Sequence, residues 1–384
     1  MRSDGPWASY ARWPRSCSSA CFYSSWPPQS SWPSWAVVSV PEGGGGRRSS
    51  FDLELARLRE LASSLKGGRL LVQLPFGLRR HAREIARAVE ESGCLPVLHA
   101  DPCHGACDLP LCAAEALGAV AIVHYGHSEM LKAPHGLPVH YFEARMDMDV
   151  EPAVREALKL LAPYGRVGLA TTVQHVGVLP RVAELLEAEG HEVLVGRAGG
   201  RVRYDGQVLG CDFTTVRGIR ERVDAFLVLG SRFHALGVAI ATGKPTVLAN
   251  PYEQVAEDVS REARRVLARR YASVEEARGA CCFGVIIGLK PGQMKLRQAL
   301  RARELLLEAG REALILAASE IRPEWLADFR DVDAFVNTAC PRLSLEDAGA
   351  FERPLLTFPE LLVALGHLRW EELCENGWFD APGW

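Results

Sequence analysis

Three cysteines stand in turns at the ends of apolar segments: Cys107 in HGACD, Cys211 in LGCD and Cys340 in TACPR. Cys340 closes the run DAFVNTACPR, which reads as a buried strand turning at once through proline into a helix start. In open parallel α/β sheets ligands gather at the carboxyl ends of strands, so a thiol placed there faces a cleft. One such thiol could be a nucleophile, a zinc ligand or neither. Three of them, one from each of three similar units, point to a shared iron-sulfur cluster. Three thiolates leave one iron of a cubane without a protein ligand, and that iron is then open to a substrate or cofactor.

The units that must position these thiols repeat along the chain. From Phe51, the helix FDLELARLRELASSL leads to the strand RLLVQLPFGL, the helix HAREIARAVEESG, the strand LPVLHA, the loop DPCHGACD, a helix near 111–117 and the strand AVAIVHYGHS. RVGLATTVQHV, LPRVAELLEAEG, HEVLVG, the segment holding GQVLGCD, and DAFLVLGSRFH repeat that order. FGVIIGLKPGQ, KLRQALRARELLLEAG, REALILAA, IRPEWLADF and DAFVNTACPR repeat it again. The helix after the first strand of each copy ends in glycine, at Gly93, Gly190 and Gly310, as a left-handed C-terminal residue requires.

The expected fold is therefore α/β: three similar domains with parallel sheets, 51–150 with Cys107, 151–260 with Cys211 and 261–384 with Cys340, in pseudo-threefold arrangement around the shared cluster. Links are expected near 146–162 and 257–281. Strict equivalence is not expected, because Cys340 follows the last strand of its copy while Cys107 and Cys211 precede theirs. Residues 1–50 differ in kind. They are rich in Ser, Pro and Trp and close on GGGGRR, which predicts a disordered extension or a start assigned too far upstream. Cys17 and Cys21 in that stretch have no nearby partner with which to bind metal.

The chain of 384 residues carries 48% hydrophobic residues and a net charge of -3, enough to bury a large core and without a basic field for nucleic acid or membrane surfaces. No apolar run approaches the roughly 18 residues of a membrane span. Eleven cysteines at irregular spacing, with no secretory leader, fit reduced thiols in the cytoplasm rather than a disulfide scaffold. Cys103, Cys107 and Cys112 resemble the local cluster loop of ordinary radical S-adenosylmethionine enzymes, but the last spacing is too long. Cys112 is expected in the core, as are Cys94, Cys281 and Cys282, with Cys103 kept as an auxiliary thiol and Cys374 without a role.

Polar residues collect at the same strand ends. Gln73 precedes LPFG, Thr171 and Gln174 lie in TTVQH, His127 and Ser128 in HYGHS, Ser231 and His234 in GSRFH, and Lys290, Gly292 and Gln293 in GLKPGQ. Any one of them is more simply explained by loop and cap hydrogen bonds; together they favour a site for a carboxylate or ribose. Neither a G-x-G-x-x-G loop nor a Walker A lysine loop is present, which disfavours NAD and ATP.

With HGACD, VHYGHS, NTACPR, GSRFHALG and IGLKPGQ, the chain resembles the radical enzymes of diphthamide biosynthesis in their archaeal homodimeric form, over about Leu55 to Gly366. The resemblance implies a 4Fe-4S cluster on Cys107, Cys211 and Cys340, S-adenosylmethionine as cofactor, and transfer of its 3-amino-3-carboxypropyl group to C2 of a histidine of translation elongation factor 2. It also implies a homodimer. On that reading GLKPGQ and TTVQH would hold the amino-acid part of the cofactor. Two rivals share parts of the pattern. Quinolinate synthase also places three cysteines of three α/β domains on one cluster, and a non-catalytic metal- or cluster-binding protein would use the thiols structurally.

Overall fold

In a computed structural model that describes residues 50–131, 136–345 and 347–377, the chain builds three mostly parallel sheets flanked by helices. The expectations for Cys17, Cys21 and the rest of the N-terminal stretch before Ser50 lie outside the described residues. The described residues belong to one compact unit.

The strands follow in chain order. After β1 (Ser50–Phe51), the first sheet is made of β2 (Arg69–Gln73), β3 (Leu95–His99), β4 (Ala121–Tyr125) and β5 (Val139–Phe142), in the spatial order β3-β2-β4-β5. β6 (Met146–Asp147) pairs back antiparallel with β1. The second sheet holds β7 (Arg166–Thr171), β8 (Glu192–Val195), β9 (Ala225–Leu229), β10 (Thr246–Asn250) and an antiparallel edge, β11 (Val255–Asp258), in the order β11-β10-β9-β7-β8. The third holds β12 (Cys282–Gly288), β13 (Glu312–Ala318), β14 (Ala334–Asn337) and β15 (Leu355–Thr357), in the order β13-β12-β14-β15. Each sheet thus runs second, first, third, fourth strand, which is the repeat read from the sequence with one more parallel strand per copy.

Burial explains which runs became inner strands. β4, β9 and β14 are buried at every residue, and β2 and β7 at all but the first, as strands covered by helices on both faces must be. The outer strands β3 and β13 alternate irregularly between exposed and half-buried. Gly93, Gly190 and Gly310 adopt φ of 87°, 89° and 74°, so each ends its helix in the left-handed region where a Cβ is unfavourable.

The first sheet packs its own core, around Leu70, Val72, Ile85, Tyr125 and Phe142. One core is continuous from the second sheet to the third, running from Phe226 and Val228 through Val266 to Val285, Val336 and Leu361. The link expected at 257–281 is largely the helix Ser260–Ala277, which contributes to that shared core.

This helix also carries a buried ion pair. Arg270 donates from Nε to Glu360 Oε1 at 2.8 Å, and from Nη2 to Glu360 Oε2 and the Leu355 carbonyl, each at 2.7 Å. Arg270 and Glu360 are 1% and 0% exposed, and Glu360 also closes the capping box of the helix Phe358–Ala364. Removing one partner strands the other charge in the core, at a cost of about 3–5 kcal/mol, whereas an apolar pair of similar volume loses far less. Glu360→Gln is expected to lower the unfolding free energy from urea titration by that amount, and Arg270→Met/Glu360→Leu to recover most of it. Equal loss in both variants would refute this account.

Candidate active site

The three strand-end thiols lie within electrostatic range of one another. Cys107 lies in the loop between β3 and the helix Leu111–Ala116, Cys211 in the loop after β8, and Cys340 in the turn between β14 and the helix Pro341–Leu345. Each is half-buried, so each keeps some contact with solvent. Burial, then the neighbouring Cys107 and Cys211, pushes the Cys340 thiol up to about 12. Cys107 is raised by burial, against the effect of a hydrogen bond from Gln293, and by Cys211. Cys211 is raised by burial, opposed by Arg201. Lys295 senses all three thiols, while burial and the nearby Arg201 hold it down at about 8.

Bonds between the sheets fix these loops. Gly292 donates its backbone N–H to the Cys107 carbonyl at 2.9 Å, and Gln293 donates its side-chain amide to Cys107 Sγ at 3.3 Å. Lys290 bridges Asp108 at 2.9 Å and Glu320 at 2.7 Å. A Cβ on Gly292 would lie 2.6 Å from Cys107 Cβ, so only glycine permits this approach. Arg201 reaches Cys211 Sγ from Nη1 at 3.8 Å. The Phe233 ring is wedged between Gly210, beside Cys211, and Arg342, whose guanidinium lies 4.3 Å above it. Asn337, at the tip of β14, donates to the Cys340 carbonyl at 2.7 Å and accepts from Ala339 N–H at 2.9 Å, which holds the turn.

A second polar group surrounds the end of β4. Gln73 donates to the Asp108 carbonyl at 2.6 Å, and its Oε1 lies 2.7 Å from His124 Nδ1. His124 Nε2 lies 2.9 Å from His127 Nδ1. Ser128 accepts from the Gln207 amide at 2.9 Å, and Gln174 donates to the Gly126 carbonyl at 2.6 Å, so both tie the second sheet to the first. Burial lowers His127 and His234 to about 4, keeping both rings neutral. Cys103 is buried, with its thiol pushed up to about 12 mainly by that burial.

The residues singled out from the sequence divide in two. Gln73, His127, Ser128, Gln174, Lys290, Gly292 and Gln293 lie around the Cys107 loop and the end of β4, and His234, bonded to Ser231 at 2.8 Å, senses both His127 and Arg342. Thr171 is buried and donates to the Leu229 carbonyl inside the second sheet. Lys290, expected to meet a cofactor, is held between two carboxylates. Arg201, Lys295, Asp108, Phe233 and Arg342 escaped sequence reasoning, although the last three sit within motifs already singled out. Cys112 is exposed, not core, because the short helix that bears it turns that position to solvent. Cys281 is likewise exposed and Cys282 half-buried, since they start the strand rather than fill its middle; Cys94 is buried as expected.

A family model for diphthamide synthesis protein matches residues 74–374. The 2-(3-amino-3-carboxypropyl)histidine synthase of Pyrococcus horikoshii is 37% identical over 300 residues, covering 78% of this chain and 86% of that protein. Subunit 1 of the corresponding enzyme of Gallus gallus is 31% identical, covering 87% of this chain and 82% of that subunit. The crystal structure of Dph2 from Pyrococcus horikoshii with a 4Fe-4S cluster superposes with a TM-score of 0.76 at 33% identity, over 83% of this chain and 92% of that one. This chain therefore belongs to the diphthamide synthesis family, and it is an enzyme, a transferase.

Proposed function

We propose that this chain is a 4Fe-4S enzyme that moves the 3-amino-3-carboxypropyl group of S-adenosylmethionine to C2 of a histidine of translation elongation factor 2, the first step of diphthamide synthesis. The observation that carries this reading is the convergence of Cys107, Cys211 and Cys340 from three sheets. The donor set fits the cluster: three soft thiol ligands, with Cys107 and Cys211 close enough to Cys340 to oppose its ionisation and with Arg201 and Lys295 beside Cys211 to favour its thiolate form. Bound there, the cluster would supply one electron to the sulfonium and open its bond to the aminocarboxypropyl carbon.

The protein's own part is positioning. The bonds of Gly292, Gln293, Arg201 and Asn337 set where each ligand sulfur stands, and which carbon–sulfur bond opens depends on which carbon is held near the open iron. We assign the candidate cofactor contacts to the polar rim of the same cleft, namely Ser128, Gln174, Ser231 and His234, together with Arg201 and Lys295. None of the described cysteines is paired in a disulfide, in keeping with a reducing cytoplasm. No helix among the described residues is long and apolar enough to cross a membrane.

After anaerobic reconstitution, the broad visible absorbance of a 4Fe-4S cluster is expected in the wild type and in Cys112→Ala, and is expected to be lost in Cys107→Ala, Cys211→Ala and Cys340→Ala. Gly292→Ala should lose most of it by displacing Cys107, while Gly77→Ala, where an added Cβ meets nothing within 4 Å, should keep it. Retention of the cluster in all three single cysteine variants would rule out the shared site.

The reaction itself is tested by adding dithionite, S-adenosylmethionine and the elongation factor to the reconstituted chain. The target histidine peptide should gain the mass of an aminocarboxypropyl group. Quinolinate formation from small-molecule precursors, with no modified peptide, would decide for the rival chemistry.

The partner read from the resemblance, a second copy of this chain, has a suitable surface on the third sheet. β13 is an outer strand with Leu314 and Ile315 exposed, and the helix Leu296–Glu308 packed on the same sheet exposes Leu296, Leu300 and Leu307. Light scattering of the wild type should report a dimer, and Leu314→Lys/Ile315→Lys a monomer. A wild type that is monomeric at micromolar concentration would remove this assignment.

A further inference from the structure

We propose that His127 takes up the proton that the target imidazole must release, its Nε2 lone pair being set by a chain of hydrogen bonds that starts beside Cys107. The inference rests on the reaction given under Proposed function. In that reaction the sulfonium carbon–sulfur bond breaks, the freed carbon bonds to the imidazole ring carbon, and the sulfur leaves as a neutral thioether. The electron that opens the sulfonium is given back when the ring adduct becomes aromatic again. The ring hydrogen leaves as a proton, so the balance is one proton released with no net oxidation, and a base must stand near the reacting carbon.

The hydrogen-bond chain sets the tautomers one after another. The Gln73 amide nitrogen donates to the Asp108 carbonyl at 2.6 Å, which turns its oxygen toward His124. His124 Nδ1, 2.7 Å from that oxygen, must carry a hydrogen. A neutral imidazole has one N–H, so His124 Nε2 is an acceptor, and at 2.9 Å its donor is His127 Nδ1–H. His127 Nε2 is then left with its lone pair. Both rings are neutral, as burial dictates: His124 is held well below the ordinary range and His127 at about 4, although the Tyr125 carbonyl beside His127 works the other way.

Location favours the same atom. His124 is fully buried, but His127 as a residue keeps partial exposure, so it is the end of the chain nearer the surface. It lies in the range of Cys103, four residues before Cys107, and of His234, which in turn senses Arg342 of the Cys340 turn. The groups that face it are thus the neutral rings of His124 and His234, the buried thiol of Cys103 and, one step further off, the cation of Arg342.

Cys103, His124 and His127 also have the make-up of a metal site, with ligand atoms within 4.8 Å of one another. The 2.9 Å approach of the two ring nitrogens argues against that use, since a hydrogen-bonding proton occupies the space between them.

The experiment has two arms. Nitrogen-15 NMR of the intact chain with labelled histidines, before cluster assembly, should show His127 protonated on Nδ1 and bare on Nε2; the opposite tautomer overturns the inference, and this arm does not depend on a variant folding. In the reconstituted enzyme, His127→Ala should form modified elongation factor about a hundredfold more slowly, while thioether release falls much less. Added imidazole should restore modification by roughly tenfold, which a purely structural role of His127 would not allow. Loss of both products together without rescue by imidazole overturns the inference, as does a zinc ion that the wild type retains and Cys103→Ser loses. A wild type that releases no thioether at all would instead overturn the reaction assigned under Proposed function, and this inference with it.

Discussion

Three thiols that repel one another once ionised must be held together in a poorly polarisable interior, and the rest of this structure is arranged around that requirement. Left alone, burial and mutual repulsion keep Cys107, Cys211 and Cys340 protonated. The loops that carry them have little secondary structure of their own to resist separation. Cys107 is therefore anchored by Gly292 and Gln293 of the third sheet, Cys211 by Arg201 of its own loop, and the turns of Cys211 and Cys340 to each other through Phe233 and Arg342. The core shared by the second and third sheets gives two of these loops a common base. The first sheet, whose core is its own, is joined instead by polar bonds: Gln174 to Gly126, Gln207 to Ser128, Tyr204 to Glu143 and Lys290 to Asp108.

The same frame accounts for the odd position of Cys340. Cys107 and Cys211 follow the second strand of their sheets, and Cys340 follows the third. Strict threefold symmetry would require the same loop from each repeat. In parallel sheets every strand leaves by the same edge, so loops after different strands open toward one cleft. What the site needs is a thiol at the carboxyl edge of each sheet, which relaxes the demand on the repeat.

Much of this was legible because the information was local. Inner strands such as AFLVL and AIVHY are apolar throughout, and glycine at 93, 190 and 310 marks where helices must stop. The fourth strand of each sheet escaped, since VHYF, TVLAN and LLT are short, and the helix Arg232–Thr242 before TVLAN is buried from Ala235 to Thr242, so it shows no amphipathic period to frame that strand. Arg201 and Lys295 escaped for another reason. A charged residue in a loop has no periodicity: Lys295 takes its value from thiols of three separate loops, and Arg201 meets Cys211 ten positions on only through the path of the loop that holds both. Lys290 shows the same limit, for its place in GLKPGQ suggested a ligand contact but gave no sign of its ion pairs with Asp108 and Glu320.

The electrostatics of the cleft are uneven in a way that suits the proposed cofactor. Arg201 and Lys295 place positive charge near Cys211, while His127 and His234, both lowered to about 4 by burial, stay neutral at physiological pH. A cofactor with a carboxylate at one end and a sulfonium in the middle is best received by cations on one side and uncharged acceptors on the other, because a protonated histidine near the sulfonium would repel it. Burial of the histidines thus serves binding and chemistry together. It spares the sulfonium a neighbouring charge, and it keeps a ring nitrogen unprotonated where a proton has to be received. An exposed histidine, with an ordinary value near 6.5, would be partly charged and would do both less well.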